Sequence, residues 1–281
     1  MKRIALACVF LCSQLALGAF EREAQGCVSL GLGGACVPGA HNTWALSVNP
    51  AALGLLATRS VSVSYRPHAF GFPELALGSF MVVEPSPWGN LALSGSSFGG
   101  SIYRETSFSL AYACTVSKGV TLGAGAHAYL LGIERYGSAH TFGVDVGLSA
   151  EVTKGVQWSA AALNVNRPRL GGEGELLPQI LWLSLTYEPI PFATFAADLV
   201  KDNHFPYELH IGLGYELMGM VGVRAGISSD PALQTAGIGL RISQVQFDYA
   251  LSKHAQLGVT HQFSLALHFG DRHHDGENSR D

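Results

Sequence analysis

The stretch that decides the fold is THQFSLALHF, residues 260–269, in which Phe263, Leu265, Leu267 and Phe269 alternate with Gln262, Ser264, Ala266 and His268. Successive side chains of a strand point to opposite faces, so this segment has one apolar face and one wetter face. Alternation alone also suits a strand of a sandwich. The number of such segments, and what joins them, separates the two architectures.

Working outward, the same pattern fills the chain from Ser60 onward. Val61, Val63 and Tyr65 oppose Ser60, Ser62 and Ser64; Phe108, Leu110 and Tyr112 oppose Ser107, Ser109 and Ala111. Phe142, Val144, Val146, Leu148 and Val152 oppose Gly143, Asp145, Gly147, Ser149 and Glu151, and Tyr207 to Leu217 alternates against Glu208, His210, Gly212, Gly214 and Glu216. Ile238, Leu240 and Ile242 oppose Gly239, Arg241 and Ser243; Phe247 and Tyr249 oppose Gln246 and Asp248. With less regular segments near 75–83, 89–98, 119–131, 155–165, 179–187, 192–200 and 219–228, the count reaches about 14 strands, each near the length that crosses a bilayer tilted.

The connections alternate in character. Ser117-Lys118-Gly119, Thr153-Lys154-Gly155, Met218-Gly219 and Ser243-Gln244 read as tight turns, and residues 66–73, 132–139, 166–178 and 201–206 as longer loops. Tight turns on one side and loops on the other are the arrangement of an outer-membrane barrel. Open edges in hydrocarbon leave amides and carbonyls unpaired at several kcal/mol each, so the first strand is expected to pair with the last. Tyr65, Tyr112, Trp158, Trp182, Tyr187 and Tyr249 lie near strand ends, where aromatic girdles belong. The expected fold is therefore an all-β, antiparallel transmembrane barrel.

Composition agrees. Of 281 residues, 48% are hydrophobic and only 14% charged, against roughly 25% charged in soluble domains, so something other than water is expected over much of the surface. The 34 glycines follow no collagen period, and the net charge of -4 comes with no basic stripe for nucleic acid. Lys2 and Arg3 before an apolar run to Leu17, then Ala16-Leu17-Gly18, read as a signal peptide over residues 1–19, cut after Gly18 or Ala19. That run is too short for a membrane helix. Cys8 and Cys12 leave with it; Cys27 and Cys36 could form a disulfide or remain buried thiols, and Cys114 stands apart.

Residues 26–54 keep neither a strand nor a helix period. Glycines at 31, 33, 34 and 39 permit tight turns, and Asn49-Pro50 marks a bend before a short helix. A compact, weakly polar segment of this kind needs a surface to pack on, and a lumen supplies one. The run 31–54, with Gly33-Gly34-Ala35 and Asn49-Pro50-Ala51, resembles the N-terminal hatch of the FadL/PorV superfamily of outer-membrane proteins. Residues 247–269 resemble the closing hairpin of the PorV/PorQ-type branch. Where the family commonly has an acidic pair after the Gly-Gly-Ala turn, this chain has His41-Asn42. The resemblance implies a hatch over residues 20–58 inside a barrel over 59–269, a polar tail over 270–281, lipid as surroundings, and recognition by the barrel-assembly machinery through the strand ending at Phe269.

Small inward residues leave room for such a hatch, and Asp145, Glu151, Glu208, Glu216, Arg224, Arg241 and Asp248 share their face as a polar lumen wall. These charges either join hatch to wall or line a solute path. His41, His127, His210, His261 and His268 are scattered, without metal-ligand spacing, and His273-His274 lies in the tail. No G-x-S-x-G elbow or phosphate loop occurs in context, so neither cofactor, metal nor catalysis is expected. The resemblance implies a passive channel for small hydrophobic solutes, or an accessory of protein secretion with its longest loop, 166–178, at the rim; a structural barrel without transport is the third possibility.

Overall fold

The computed structural model describes residues 18–21, 25–39, 42–171 and 174–270. The signal-peptide run to residue 17, His41, the pair 172–173 in the longest connection, and the tail from 271 lie outside them.

Fourteen antiparallel strands follow one another: β1 (Arg59–Arg66), β2 (Leu77–Glu84), β3 (Asn90–Gly99), β4 (Tyr103–Ser117), β5 (Val120–Ile133), β6 (Gly137–Thr153) and β7 (Val156–Leu163). Then come β8 (Ile180–Tyr187), β9 (Ala193–Asp202), β10 (Tyr207–Leu217), β11 (Val221–Ser229), β12 (Ala232–Ile242), β13 (Val245–His254) and β14 (Gly258–Phe269). Each pairs with its neighbours in sequence, and β1 pairs with β14 to close the barrel. The seam runs in unbroken register from Arg59 opposite Phe269 to Tyr65 opposite Phe263.

The two faces of the sheet are inverted relative to a soluble protein. In β1, Ser60, Ser62 and Ser64 are buried while Val61, Val63 and Tyr65 are exposed. In β14, Gln262, Ser264, Ala266 and His268 are buried while Phe263, Leu265 and Phe269 are exposed. The alternation therefore resolves as polar-in and apolar-out, and the apolar exterior continues through Leu183, Leu199, Leu213 and Ile238 around the barrel. An exposed apolar surface of that extent marks contact with a non-aqueous medium.

Two expectations are corrected. Trp182 does not belong to a girdle: it is buried, because in β8 it shares a face with Ile180, Ser184 and Thr186 while Leu181, Leu183 and Leu185 point out. Residues 132–139 are no loop, since β5 runs to Ile133 and β6 starts at Gly137. The connection of β11 to β12 is also short, only Asp230 and Pro231. The long connections are 67–76 and 164–179, at the end away from Arg59 and Phe269. We call that the loop end and the other the terminal end.

What the inward faces surround is the chain's own start. Helix α1 (Cys27–Gly31) is buried throughout, followed by 3-10 turns at Thr43–Ser47 and Pro50–Leu55. The helix expected after Asn49-Pro50 is thus a 3-10 turn, capped by Asn49 Oδ1 accepting from Ala51 N at 2.9 Å. Two apolar clusters join segment to wall. Cys36, Ala45, Val48 and Ala52 pack with Ala161, Leu163, Ile180, Trp182 and Val200. Trp44, Leu46, Leu53 and Leu56 pack with Met81, Val83, Ala92, Ala111 and Ala113. Cys27 carries a free thiol, so it is not joined to Cys36, and burial pushes it up to about 12, leaving it protonated and unreactive at neutral pH.

Close approach of backbone to wall explains particular glycines. Gly33 has φ 75°, and a Cβ there would lie 2.6 Å from Ile227 O. A Cβ on Gly226 would lie 2.2 Å from Gly33 N, and one on Gly147 2.0 Å from Asn49 Oδ1. Larger residues on these wall positions would expel the segment.

Two outcomes follow. Val63→Cys with Leu265→Cys, directly opposed across the seam, should cross-link on mild oxidation, whereas Val61→Cys with Leu265→Cys should not; cross-linking of both pairs, or of neither, contradicts the register. Gly33→Ala should destabilise by about 1–3 kcal/mol, read as a lowered unfolding midpoint. Gly39→Ala, with nothing within 4 Å of its Cβ, should stay within about 0.5 kcal/mol of the parent.

Candidate functional site

The candidate site is the interface between the N-terminal segment and the inner wall. Between its short helices the segment has no secondary structure of its own, so its buried amides need partners from elsewhere. The wall supplies them. Gly33 N donates to Thr235 Oγ1 at 2.9 Å, Cys36 N to Asp198 Oδ2 at 2.6 Å, and Cys27 N to Ser264 Oγ at 3.3 Å. In return Thr235 Oγ1 donates to Gly31 O at 3.2 Å. Asn90 Nδ2 donates to Leu53 O and Leu56 O at 2.8 and 2.7 Å, and Asn49 Nδ2 donates to Leu148 O at 3.2 Å.

Asp198 is the strongest of these anchors. It is buried, and its Oδ2 also accepts from Trp182 Nε1 at 2.7 Å. Trp182 meets the His210 ring edge-on at 5.4 Å, and a Cβ on Gly34 would lie 2.7 Å from His210 Nδ1. Gly33 and Gly34 thus slot between β10 and β11 while Cys36 is held from β9. A hydrogen bond to a charged acceptor contributes about 1.5–3 kcal/mol, so the bond from Cys36 N to Asp198 is one of the stronger single attachments.

The sequence-predicted wall residues fall into separate groups. At the terminal end Arg224 Nη1 donates to Asp248 Oδ1 at 2.8 Å, and Gln246 Nε2 to Asp248 Oδ2 at 2.8 Å. Arg241 Nη2 donates to Glu216 Oε2 and to Gly219 O, each at 3.0 Å. A Cβ on Gly239 would lie 2.2 Å from Asp248 Oδ1, so the small residue here makes room for an ion pair rather than for the segment. The space among these side chains is about 10 Å³, room for a single water. Glu208 sits 3.4 Å from His210. Asp145 lies near the loop end beside His127. Glu151 stands exposed at a bulge between β6 and β7, away from the segment.

Of the residues picked out in the segment, Gly33, Gly34 and Asn49 touch the wall as described, Pro50 and Ala51 lie against Gly123 and Gly147, and Ala35 packs with Val28, Leu32 and Ala196. Asp198, Trp182 and Thr235 were missed as anchors. Asp198 could have been found: between the buried Ala196 and Val200 it is an acidic residue at mid-strand on the inward face of β9.

No family model and no curated protein matches the sequence. Solved structures do resemble it. The toluene transporter TbuX of Ralstonia pickettii matches with a TM-score of 0.68 and 15% identity, over 90% of this chain and 100% of that one. The toluene transporter TodX of Pseudomonas putida gives 0.64 and 13%, over 90% and 100%. A FadL homologue of Pseudomonas aeruginosa gives 0.62 and 13%, over 89% and 99%. At such identities the likeness is one of fold: this chain forms a closed fourteen-stranded barrel of the kind found in those proteins.

Proposed function

We propose that the protein is a bacterial outer-membrane barrel that passes small apolar solutes passively, with residues 20–58 as a hatch inside barrel residues 59–269. In this reading residues 1–19 are the export signal, residues 270–281 a polar tail, and the terminal end faces the periplasm. The strand ending at the exposed Phe269 presents itself to the assembly machinery. The observation that carries the reading is the pairing of an apolar band around the exterior with a bore filled by a segment whose contacts are apolar clusters and a few hydrogen bonds. Such an interface can part along its apolar seams without exposing rows of unpaired charge. The fold shared with toluene transporters supports the same class of solute. Among the described residues nothing favours the secretion accessory that the PorV/PorQ resemblance implied.

Lipid contact is tested by Leu183→Arg on the exterior, which should destabilise the barrel in bilayers by about 2–4 kcal/mol; a neutral result would place that face in water. The hatch is tested by locking it. In a background without native cysteines, Ala35→Cys and Ala196→Cys, buried in one cluster, should form a disulfide that suppresses uptake of toluene into proteoliposomes until reductant is added. Deletion of residues 26–54 should raise conductance. Uptake indifferent to the lock would rule out movement of the segment as the gate.

A further inference from the structure

Three side chains on neighbouring strands touch in series on the inner wall, apart from the contacts that hold the segment. Ser109 Oγ of β4 lies 2.7 Å from Nδ1 of His127 on β5. Nε2 of the same ring lies 2.9 Å from Asp145 Oδ2 on β6, close to the carboxylate but outside hydrogen-bond geometry. The register explains the alignment. Ser109 is directly opposite His127, while His127 faces Gly143 and Asp145 faces Gly125, so the ring reaches the carboxylate diagonally across positions without side chains. A Cβ on Gly125 would sit 3.3 Å from His127 Nε2.

The carboxylate is itself fixed. Asp145 Oδ1 accepts from Asn164 N at 2.8 Å. Asn164, in the left-handed region at φ 55°, donates through Nδ2 to Pro178 O at 2.7 Å and accepts from Tyr129 OH at 3.0 Å. The Tyr129 ring stacks on His127 at 5.8 Å. A carboxylate beside Nε2 favours the proton there and leaves the Nδ1 lone pair toward the serine hydroxyl, which donates to it. A nucleophile hydrogen-bonded to a base, and a carboxylate 2.9 Å from the base's other nitrogen, are the parts of an acyl-transfer site, recognised by geometry and not by order in the chain.

The surroundings suit that chemistry. The His127 and Asp145 side chains are 15% and 5% exposed, and Ser109 is half-buried. Ser94 of β3 stands opposite Ser109, and Ser96 and Ser107 hydrogen-bond to each other at 2.8 Å on the same wall.

We propose that Ser109, with His127 as general base and Asp145 as positioning residue, hydrolyses small uncharged carboxylic esters that enter the loop-end half of the bore. The Ser109 oxygen bonds to the carbonyl carbon as its proton passes to His127 Nδ1, and the carbonyl electron pair moves onto oxygen. That pair returns, the bond to the alcohol oxygen breaks, and the leaving alkoxide takes the proton from Nδ1. Water then repeats the sequence on the acyl-Ser109, releasing the carboxylic acid and restoring the serine. The inference goes beyond the channel reading and needs entry to the bore, not passage through it.

The test uses the folded full-length protein in detergent, with a fluorophosphonate reagent and 4-nitrophenyl butyrate as probes. The reagent is expected on Ser109 by peptide mass mapping, with ester turnover that Ser109→Ala abolishes while the barrel keeps its heat-modifiable migration. Asp145→Asn should slow labelling on the order of 10²-fold or more and shift the pH midpoint of the labelling rate; a network that only braces the 164–179 connection would lower the unfolding midpoint and leave both unmoved. Absence of label on Ser109 in the folded parent, or turnover by Ser109→Ala equal to the parent, overturns the proposal. Should Ser109→Ala not fold, the labelled position in the parent decides alone.

Discussion

Everything in this molecule depends on the pairing of β1 with β14. A sheet with its apolar face outward has no water on that side to satisfy a free edge, and each unpaired backbone group there would cost several kcal/mol. The seam from Arg59 opposite Phe269 to Tyr65 opposite Phe263 removes both edges at once. Closure then dictates the rest: with the outside given to apolar side chains, every polar inward group must find its partner within a confined bore.

That confinement is resolved by the chain's own beginning. Serine, threonine, alanine and glycine on the inward faces are too small to meet across the bore, so residues 27–56 occupy it and exchange hydrogen bonds with the wall. Where the segment comes closest, as at Gly33 against Gly226 and at Asn49 against Gly147, neither glycine of the first pair nor Gly147 has room for a side chain. Elsewhere glycine serves charge instead, as Gly239 does beside Arg224 and Asp248. The same residue type thus has two physical roles in one lumen. Only the neighbour across the bore distinguishes them.

The alternation of residues 260–269 and its repeats made the strand number and the polar-in, apolar-out sense legible, because a period of two is a property of a single strand. Local composition likewise marked residues 26–54 as needing a surface. What escaped was whatever depends on which face of a strand turns inward or on register between strands. Trp182 read as a girdle aromatic because it lies near a strand end, yet its parity in β8 sends it inward to Asp198. Residues 132–139 read as a loop because Gly132 and Gly137 punctuate them, yet cross-strand pairing with β4 and β6 continues to Ile133 and from Gly137. His127 looked isolated in the chain; Ser109 and Asp145 become its neighbours only once β4, β5 and β6 are aligned.

The uneven distribution of polar contacts along the bore carries a mechanical consequence. At the terminal end Arg224, Asp248, Gln246, Arg241 and Glu216 bond chiefly to one another and to Gly219, all on the wall. They therefore brace β10 to β13 without gripping the segment. The grip comes from Asp198, Thr235, Asn90 and Ser264, single side chains on well-separated strands, each holding one or two backbone groups. Attachments of that kind break one at a time, at about 1–3 kcal/mol each, whereas the ladder between strands can yield only as a whole. A displacement of the segment would thus cost far less than any distortion of the barrel.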